Sequence, residues 1–473
     1  MTLNRSLEVY VANQFDVIII GGGPAGYVCA IRAAQLGLSV AVVEKDKMVG
    51  VCVNIGCIPT KALLYSAKTA NTIAHEAKDL GIETGAVKTD YGVAMKRSRR
   101  VSEQNSKGVD FLMKKNKVTV IKGVGVLKPG KKVQVGAETY EAKKGIVLAT
   151  GSRTKGIPQI GLELDRKLVI SSDEALFLEI APKTMAVVGA GAVGSEFADI
   201  FNAFGTKVWL IEALPRILPI EDAECSDVVA KSYKKRGIEV RAGAKVTKAT
   251  VGKTSVTLEF ESGGQKETVE VEKVLMAAGR ATNIEELKAA GIAMTERGFV
   301  KVDLKTLETS QPGIYAIGDI AGAPMLAHKG SREGVNVAEL LAGHKPHAIK
   351  YDNIPSVTYC HPEVASIGLT EEQCKEQKLE YQVGKFPFSA NGRGRASNET
   401  EGFVKIIRGK KYSEILGAHI VGGHASEMIH ELGVARENEY TVEEIDLFVH
   451  AHPTLSEATA EAALDSMGRA MNT

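Results

Sequence analysis

Apolar residues in this chain gather in short runs that glycine stops, and the runs alternate with longer stretches of helical periodicity. Phe15-Asp16-Val17-Ile18-Ile19-Ile20 ends at Gly21-Gly22-Gly23-Pro24-Ala25-Gly26. It is too short for a core helix and reads as a buried strand feeding a tight turn. Tyr27 to Leu36 predicts a helix closed by Gly37, and Ser39 to Val43 a second strand finishing on Glu44. The same order then recurs. Thr184 to Val188 predicts a strand, Gly189-Ala190-Gly191-Ala192-Val193-Gly194 a turn, Ser195 to Phe204 a helix, and Lys207 to Ile211 a strand ending at Glu212. Gly145-Ile146-Val147-Leu148, leading to Thr150-Gly151-Ser152, and Val274-Leu275-Met276, leading to Gly279-Arg280, each predict the strand that closes a unit. Ile314 to Ile317 predicts one more, running into Gly318-Asp319. From Tyr351 the pattern changes to alternation, as in Ser356 to Tyr359, Gly402 to Ile407 and Ile415 to Ile420. Period-two segments of this kind predict an antiparallel sheet, with helices after it.

These elements predict an α/β fold with two Rossmann-like dinucleotide-binding domains and a C-terminal α+β domain. The expected limits are an N-terminal extension at 1–14, a first dinucleotide domain at 15–156 completed by 280–350, a second at 157–279, and the α+β domain at 351–473. In each copy the glycines permit the tight turn and close backbone approach, the helix N-terminus faces a pyrophosphate, and the acid, Glu44 or Glu212, can hold ribose hydroxyls. A lone glycine triplet is weak evidence; two complete copies imply two dinucleotides. Glu212 would repel a 2′-phosphate, and Ala213 and Leu214 supply no cation, so NAD(H) is expected at the second site, with Arg216 the nearest basic residue.

Composition narrows the partners. A net charge of +2 on 473 residues supports neither nucleic acid nor a membrane surface, and no apolar run approaches the length of a bilayer span. Met1 to Gln14 lacks the apolar centre of a signal peptide. Six scattered cysteines do not form a secreted disulfide scaffold, which points to a reducing cytosol, and Cys29 inside an apolar helix reads as a small buried residue.

Chemistry concentrates in two stretches. Gly50-Val51-Cys52-Val53-Asn54-Ile55-Gly56-Cys57-Ile58-Pro59-Thr60-Lys61 places two cysteines about one helical turn apart at a helix start, where a local disulfide is feasible and the helix dipole favours a thiolate. Half a metal site or two buried thiols are the alternatives, but the next ligands in sequence are distant. Phe448-Val449-His450-Ala451-His452-Pro453-Thr454-Leu455-Ser456-Glu457 holds two histidines and a carboxylate, equally compatible with catalysis, zinc or a surface turn. Asp319, at a strand's C-terminal edge, could grip a polyol or cap a turn.

Together, G-V-C-V-N-I-G-C-I-P-T-K, the two glycine turns with their acids, Gly318-Asp319 and H-A-H-P-T-L-S-E closely resemble the disulfide-reductase class of flavoproteins, and within it the dihydrolipoamide dehydrogenases, from about Phe15 to the last helix. The resemblance implies FAD in the first unit. Gly21, Gly23, Pro24, Ala25 and Gly26 would lie at the pyrophosphate, Glu44 and Lys45 at the adenosine ribose, and Asp319 on the ribitol. Gly50, Val51, Gly125, Thr150, Gly151, Ser152 and Gly318 would line the site, and Met325-Leu326-Ala327-His328 would cover the pyrimidine end of the ring. NAD would meet Gly189, Gly191, Val193, Gly194, Glu196, Glu212, Val246 and Gly279. Cys52 would be the interchange thiol and Cys57 the thiol nearest the flavin, with Lys61, paired with Glu196, near the reactive nitrogen. His452, oriented by Glu457, would be the general base and would reach the cysteines of the other subunit of a homodimer.

The resemblance further implies oxidation of a dihydrolipoyl group carried by an E2 acyltransferase or a glycine-cleavage lipoyl protein, in the cytoplasm or an organelle matrix. Glutathione-type reductases would want basic residues at Glu212-Ala213, and mercuric reductases an added C-terminal cysteine pair that is not in this sequence. A non-catalytic assembly subunit of the same fold is the reading from another class, and the joint presence of Cys52, Cys57, His452 and Glu457 speaks against it. One departure stands out: Val49-Gly50-Val51 occupies the place where many members read Gly-Gly-Thr. Val51 lacks a hydroxyl that could touch FAD, and Val49 would be strained if the turn needs a positive φ.

Overall fold

The computed structural model describes residues 13–472, so all but the last two residues of the predicted extension 1–14 lie outside the described residues. The chain divides into two compact units. The first comprises the chain through Asn54 with Ser102–Arg153 and Arg280–Ile349; the second comprises Ile55–Val101, Thr154–Gly279 and the chain from Lys350.

In the first unit, β1 (Gln14–Ile20), α1 (Pro24–Gln35) and β2 (Val40–Glu44) form the expected strand, helix, strand. β1 pairs in parallel with β2, Val17 opposite Val40, and on its other side with Glu138–Leu148. Thr119–Lys122 extends the sheet beyond β2, Ile314–Ala316 pairs in parallel with Glu138–Leu148, and an antiparallel hairpin at Gly125–Lys128 and Lys132–Val135 completes seven strands. Alternation explains why β1 looked continuously apolar. Ile18 and Ile20 pack into one core with Ala41 and Val43, whereas Val17 and Ile19 pack into another with Val40 and Val42. A central parallel strand buries both faces.

α1 begins at Pro24, three residues before the sequence suggested. Proline suits a first helical turn, where its missing N–H has no intrahelical partner to lose. The helix Ala327–Leu341 lies against α1 through small residues, because a Cβ on Gly334 would stand 2.5 Å from the Ala25 carbonyl oxygen. The short helix α2 (Gly50–Ile55) follows β2.

In the second unit, α3 (Cys57–His75) starts at the second cysteine rather than after Pro59, which sits harmlessly in the first turn. β3 (Thr184–Val188), α4 (Ala192–Ala203) and β4 (Lys207–Glu212) repeat the first unit's motif. Their parallel sheet runs Glu239–Ala242, β4, β3, Lys273–Met276, Val169–Ile170. A three-stranded antiparallel sheet follows β4's neighbour, from Ala244–Val251 to Gln265–Val271.

The C-terminal part is a five-stranded antiparallel sheet, ordered Ser356–Thr358, Glu363–Gly368, Ile415–Gly422, Phe403–Gly409, Tyr381–Pro387. Helices Ala425–Glu437 and Glu457–Ser466 contribute to a core with it through Ile429, Leu432, Ala458 and Ala462. No helix among the described residues is long and apolar enough to cross a membrane.

Candidate active site

The two glycine turns are built alike. Gly21 holds φ 108° and Gly189 φ 99°, and a Cβ at either would collide with the neighbouring strand's end, 2.2 Å from the Ala149 oxygen or 2.6 Å from that of Ala277. The third glycines, Gly26 and Gly194, let the helix lie against the turn itself: a Cβ would stand 1.9 Å from the Gly21 oxygen and 1.8 Å from the Gly189 oxygen. Those four are required by the protein's own packing. Gly23 and Gly191 are not, for a Cβ on either would meet nothing within 4 Å. Open space above a helix N-terminus is what a pyrophosphate needs, so both turns fit a bound dinucleotide.

The two acids hold their turns identically. Glu44 Oε2 accepts from the Gly22 amide at 2.7 Å and its Oε1 from the Asp46 amide at 2.8 Å. Glu212 Oε2 accepts from the Ala190 amide at 2.8 Å and its Oε1 from the Leu214 amide at 2.9 Å. Each carboxylate is therefore anchored before any ribose arrives, with lone pairs remaining for hydroxyls. Arg216, the basic residue nearest Glu212 in sequence, is turned to other partners: Nη1 lies 3.3 Å from Glu372 and Nη2 donates to the Glu221 carbonyl. The charge beside Glu212 thus stays unfavourable to a 2′-phosphate.

Around the first turn the structure gathers most of the residues expected there. A Cβ on Gly50 would come within 2.8 Å of the Gly23 Cα, and the Ala25 Cβ stands 3.3 Å from the place a Cβ on Gly318 would take. Gly125 lies against Val43 and Ile20. Thr150 and Asn283 exchange bonds, Thr150 Oγ1 donating to the Asn283 carbonyl at 2.7 Å and Asn283 Nδ2 to the Thr150 carbonyl at 2.9 Å. Asp319 does not cap a turn; it accepts from the Ser152 hydroxyl, which itself accepts from Arg280 Nε at 2.7 Å. Met325 and Leu326 precede the helix that Ala327 opens, with His328 exposed in its first turn, and Lys45 is exposed just past β2. In the second unit Val193 is in the first turn of α4, Val246 is buried on Ala244–Val251, and Gly279 holds φ 104°.

Sequence reasoning missed a buried pair beneath Gly318. Lys329 and Glu333 are each 1% exposed and 3.2 Å apart; Lys329 Nζ donates to the carbonyls of Gly318 and Gly322, and Glu333 accepts from the Gly318 amide at 2.7 Å. In sequence a Lys and a Glu four apart look like any solvated helix pair, so only their flanking glycines, Gly330 and Gly334, hinted at burial.

Cys52 and Cys57 are joined as a disulfide, while the four other cysteines are free and buried. Asn54 Nδ2 braces the start of α2 through the Met48 and Gly50 carbonyls, and the Ser102 hydroxyl takes the Val53 carbonyl at 2.6 Å. Cys57 opens α3, and Lys61 lies one turn further on. Its Nζ donates to both oxygens of Glu196 at 2.9 Å. Glu196, in the first half of α4 and 4% exposed, also accepts from the Tyr359 amide at 3.0 Å, and the Lys61 ammonium lies 4.4 Å from the centre of the Tyr359 ring. Burial, reinforced by Glu196, raises the Tyr359 phenol above its ordinary range. Cysteine and lysine are thereby fixed to one helix.

His452 Nδ1 lies 2.8 Å from Glu457 Oε1, and Glu457 Oε2 accepts from the Thr454 amide at 2.8 Å. The Glu457 acid lies below its ordinary range: burial opposes this, and the Thr454 amide and His452 outweigh it. The imidazole is 79% exposed, and the carboxylate fixes the tautomer that leaves Nε2 unprotonated. Among the described residues no cluster of three or more His, Cys, Asp or Glu is placed to hold a metal.

Residues 15–334 match the family model of the pyridine nucleotide-disulphide oxidoreductases, and residues 354–463 match that family's dimerisation domain. The chain belongs to the pyridine nucleotide-disulphide oxidoreductases. It is 44% identical to the dihydrolipoyl dehydrogenase of Rhizobium etli, over 98% of this chain and all of that one, and 42% identical to the dihydrolipoyl dehydrogenase of Bacillus subtilis with the same coverage. Among solved structures, LpdA from Mycobacterium tuberculosis aligns with a TM-score of 0.86 at 25% identity, over 96% of this chain and 99% of that one. The HOCl-induced flavoprotein disulfide reductase RclA from Escherichia coli, as its Cu(II) complex, gives 0.84 at 27%, again over 96% and 99%. The cofactors are FAD and NAD(H), those of the dihydrolipoyl dehydrogenases, and the two open glycine turns suit them. The match to the dimerisation domain supports a homodimer.

Proposed function

We propose that this pyridine nucleotide-disulphide oxidoreductase is a dihydrolipoyl dehydrogenase, oxidising protein-bound dihydrolipoamide to lipoamide with reduction of NAD+ to NADH. The observation that carries this is the Cys52–Cys57 disulfide at the start of a helix whose next turn presents a lysine clamped by a buried carboxylate. Relatives of that name, matched along their whole length, support it.

His452 Nε2 takes a proton from the first dihydrolipoyl thiol, and Glu457 holds the resulting imidazolium. The thiolate attacks the Cys52 sulfur, forming a mixed disulfide and releasing Cys57 as a thiolate that the α3 N-terminus stabilises. The second dihydrolipoyl thiol displaces Cys52 as its proton passes to the departing Cys52 sulfur, so lipoamide leaves with its disulfide formed and the enzyme keeps both electrons on the two cysteines. Bound FAD supplies the two-electron carrier between that dithiol and NAD+. Gly21, Gly23, Gly26, Glu44 and Asp319 hold it, and Gly189, Gly191, Gly194 and Glu212 hold the nicotinamide dinucleotide. His452 serves the cysteines of a second copy, so the homodimer is the working unit. The lipoyl group comes from an E2 acyltransferase or a glycine-cleavage carrier in the cytoplasm or an organelle matrix.

The test is dihydrolipoamide oxidation by the purified flavoprotein with NAD+ and NADP+ side by side. Turnover with NAD+ and little with NADP+ is expected; a flavin-loaded dimer without turnover would instead favour the assembly role.

A further inference from the structure

The segment that follows Glu212 is tied to the second glycine turn at two points. The Leu214 amide donates to Glu212 Oε1 at 2.9 Å, and the Leu218 amide donates to the Ala190 carbonyl at 2.8 Å. Ala190 is the residue whose own amide Glu212 Oε2 holds. Arg216 stands two residues from each tie, and two residues span at most about 7 Å. An extended arginine side chain covers a similar distance, so its guanidinium has the reach to meet a phosphate beside the ribose that Glu212 holds. Between Glu212 and Asp222 it is the only basic residue. Arginine, with its planar fork of donors, is the side chain best suited to a 2′-phosphate. Here the fork is engaged elsewhere: Nη1 lies 3.3 Å from Glu372 Oε1, and Nη2 donates to the Glu221 carbonyl at 3.3 Å.

Glu372 comes from far along the chain, on the short helix Glu371–Glu376. Thr370 and Gln373 close the first turn of that helix as a capping box, and the Glu371 amide donates to Asp222 Oδ2 at 3.3 Å. Lys405, itself buried, binds both Asp222 and Glu371. The carboxylate that draws Arg216 is thus held against the end of the same loop by groups other than Arg216. We propose that Glu372 is a positioning residue for dinucleotide choice: it engages Arg216 and denies that charge to the adenosine ribose, so that NAD+ is preferred to NADP+. The inference deepens the proposed function and rests on its NAD+ reading. Two carboxylates then act in one direction. Glu212 repels a 2′-phosphate directly, and Glu372 withholds the cation that would offset the repulsion. A part-exposed pair of this kind adds little to stability, so loss of Glu372 releases the arginine without unfolding the protein.

Calorimetric binding of adenosine 2′,5′-bisphosphate and of AMP to the flavin-loaded enzyme reads this choice without turnover. Glu372→Gln should improve affinity for the bisphosphate relative to AMP by about three- to five-fold, the worth of one exposed charge contact. Adding Arg216→Ala to Glu372→Gln should return the ratio to that of the parent or below it, because the gain comes from the arginine and not from the lost carboxylate. The same order is expected for kcat/KM with NADP+ against NAD+. A purely structural role for Glu372 would change both ligands alike. That result overturns the proposal, as does a ratio left unchanged by Glu372→Gln, a gain that survives the loss of Arg216, or a parent that already binds the bisphosphate more tightly than AMP. Binding needs no dithiol substrate, so a parent enzyme without lipoamide turnover would count against the proposed function alone.

Discussion

The Val49 amide donates to the Gly22 carbonyl at 2.8 Å, and Val49 makes that bond at φ 73°, wholly buried. The left-handed turn suspected from the sequence is therefore real, and a β-branched residue occupies it at a strain of about 1–3 kcal/mol. Replacing Val49 by glycine relieves the strain but removes a buried side chain contributing about 1.5–3 kcal/mol. The two readouts separate: the thermal midpoint of Val49→Gly falls, while flavin release slows because the turn beside Gly22 no longer resists the bound geometry. Unchanged or faster release would reject strain as the relevant term.

Glu44 and Glu212 each accept two backbone amides with two different oxygens. A glutamine at either place offers one oxygen and one NH2, so one buried amide loses its acceptor, at a cost of about 1–3 kcal/mol. Glu44→Gln should weaken FAD binding, and Glu212→Gln should raise the KM for NAD+, each by more than a lost ribose contact alone. Flavin titration of apoprotein and initial rates measure the two effects, and parent-like values in both would show that the amides find water instead.

Glu196 satisfies Lys61 and the Tyr359 amide together. Glu196→Ala leaves the Tyr359 amide and the Lys61 ammonium without their shared carboxylate and should destabilise by about 2–3 kcal/mol, whereas Glu196→Gln retains an acceptor and should cost about half as much. Denaturant unfolding of both variants checks the order; equal losses would mean that the pair adds little beyond packing.

Lys405, fully buried, binds both oxygens of Asp222 at 3.1 Å and Glu224 and Glu371 at 2.8 Å. Hydrogen bonds from Lys375 and then Lys405 pull the Glu371 acid down to about 2 against an ordinary 4.5. A depressed carboxylate contributes stability that is present above 4.5 and lost as pH falls toward about 2. Lys405→Met strands Asp222 and should lower stability by about 3–5 kcal/mol near neutrality. The gap to the parent should narrow as pH falls from about 4.5 toward about 2 and Glu371 protonates. A gap independent of pH would mean that the lysine acts through packing.

Cys57→Ser should abolish lipoamide turnover while sparing a diaphorase reaction with artificial acceptors, because thiol exchange needs both sulfurs and hydride exchange with nicotinamide needs neither. Stopped assays with dihydrolipoamide and with a dye separate the two. Equal loss of both would contradict the assigned electron path.

Strand and helix order, the two glycine turns with Glu44 and Glu212, and the Cys52–Cys57 pair were legible in the sequence because each rests on short-range geometry, whereas His452 and Glu457 entered only through the resemblance. Alternation marks a buried strand, and a glycine marks the place where no Cβ fits. Only the tertiary structure decided which charges are buried and with what. Lys405 among three carboxylates carries no mark of burial in the sequence, Lys329 beneath Gly318 only its flanking glycines, and Arg216, the basic residue nearest Glu212 in sequence, is drawn to Glu372. It also decided that His450 and His452, two residues apart, face opposite circumstances, one closed in by Glu431 and the Phe448 carbonyl and the other exposed. A charge's environment depends on residues far away in the chain, and local pattern carries no information about them.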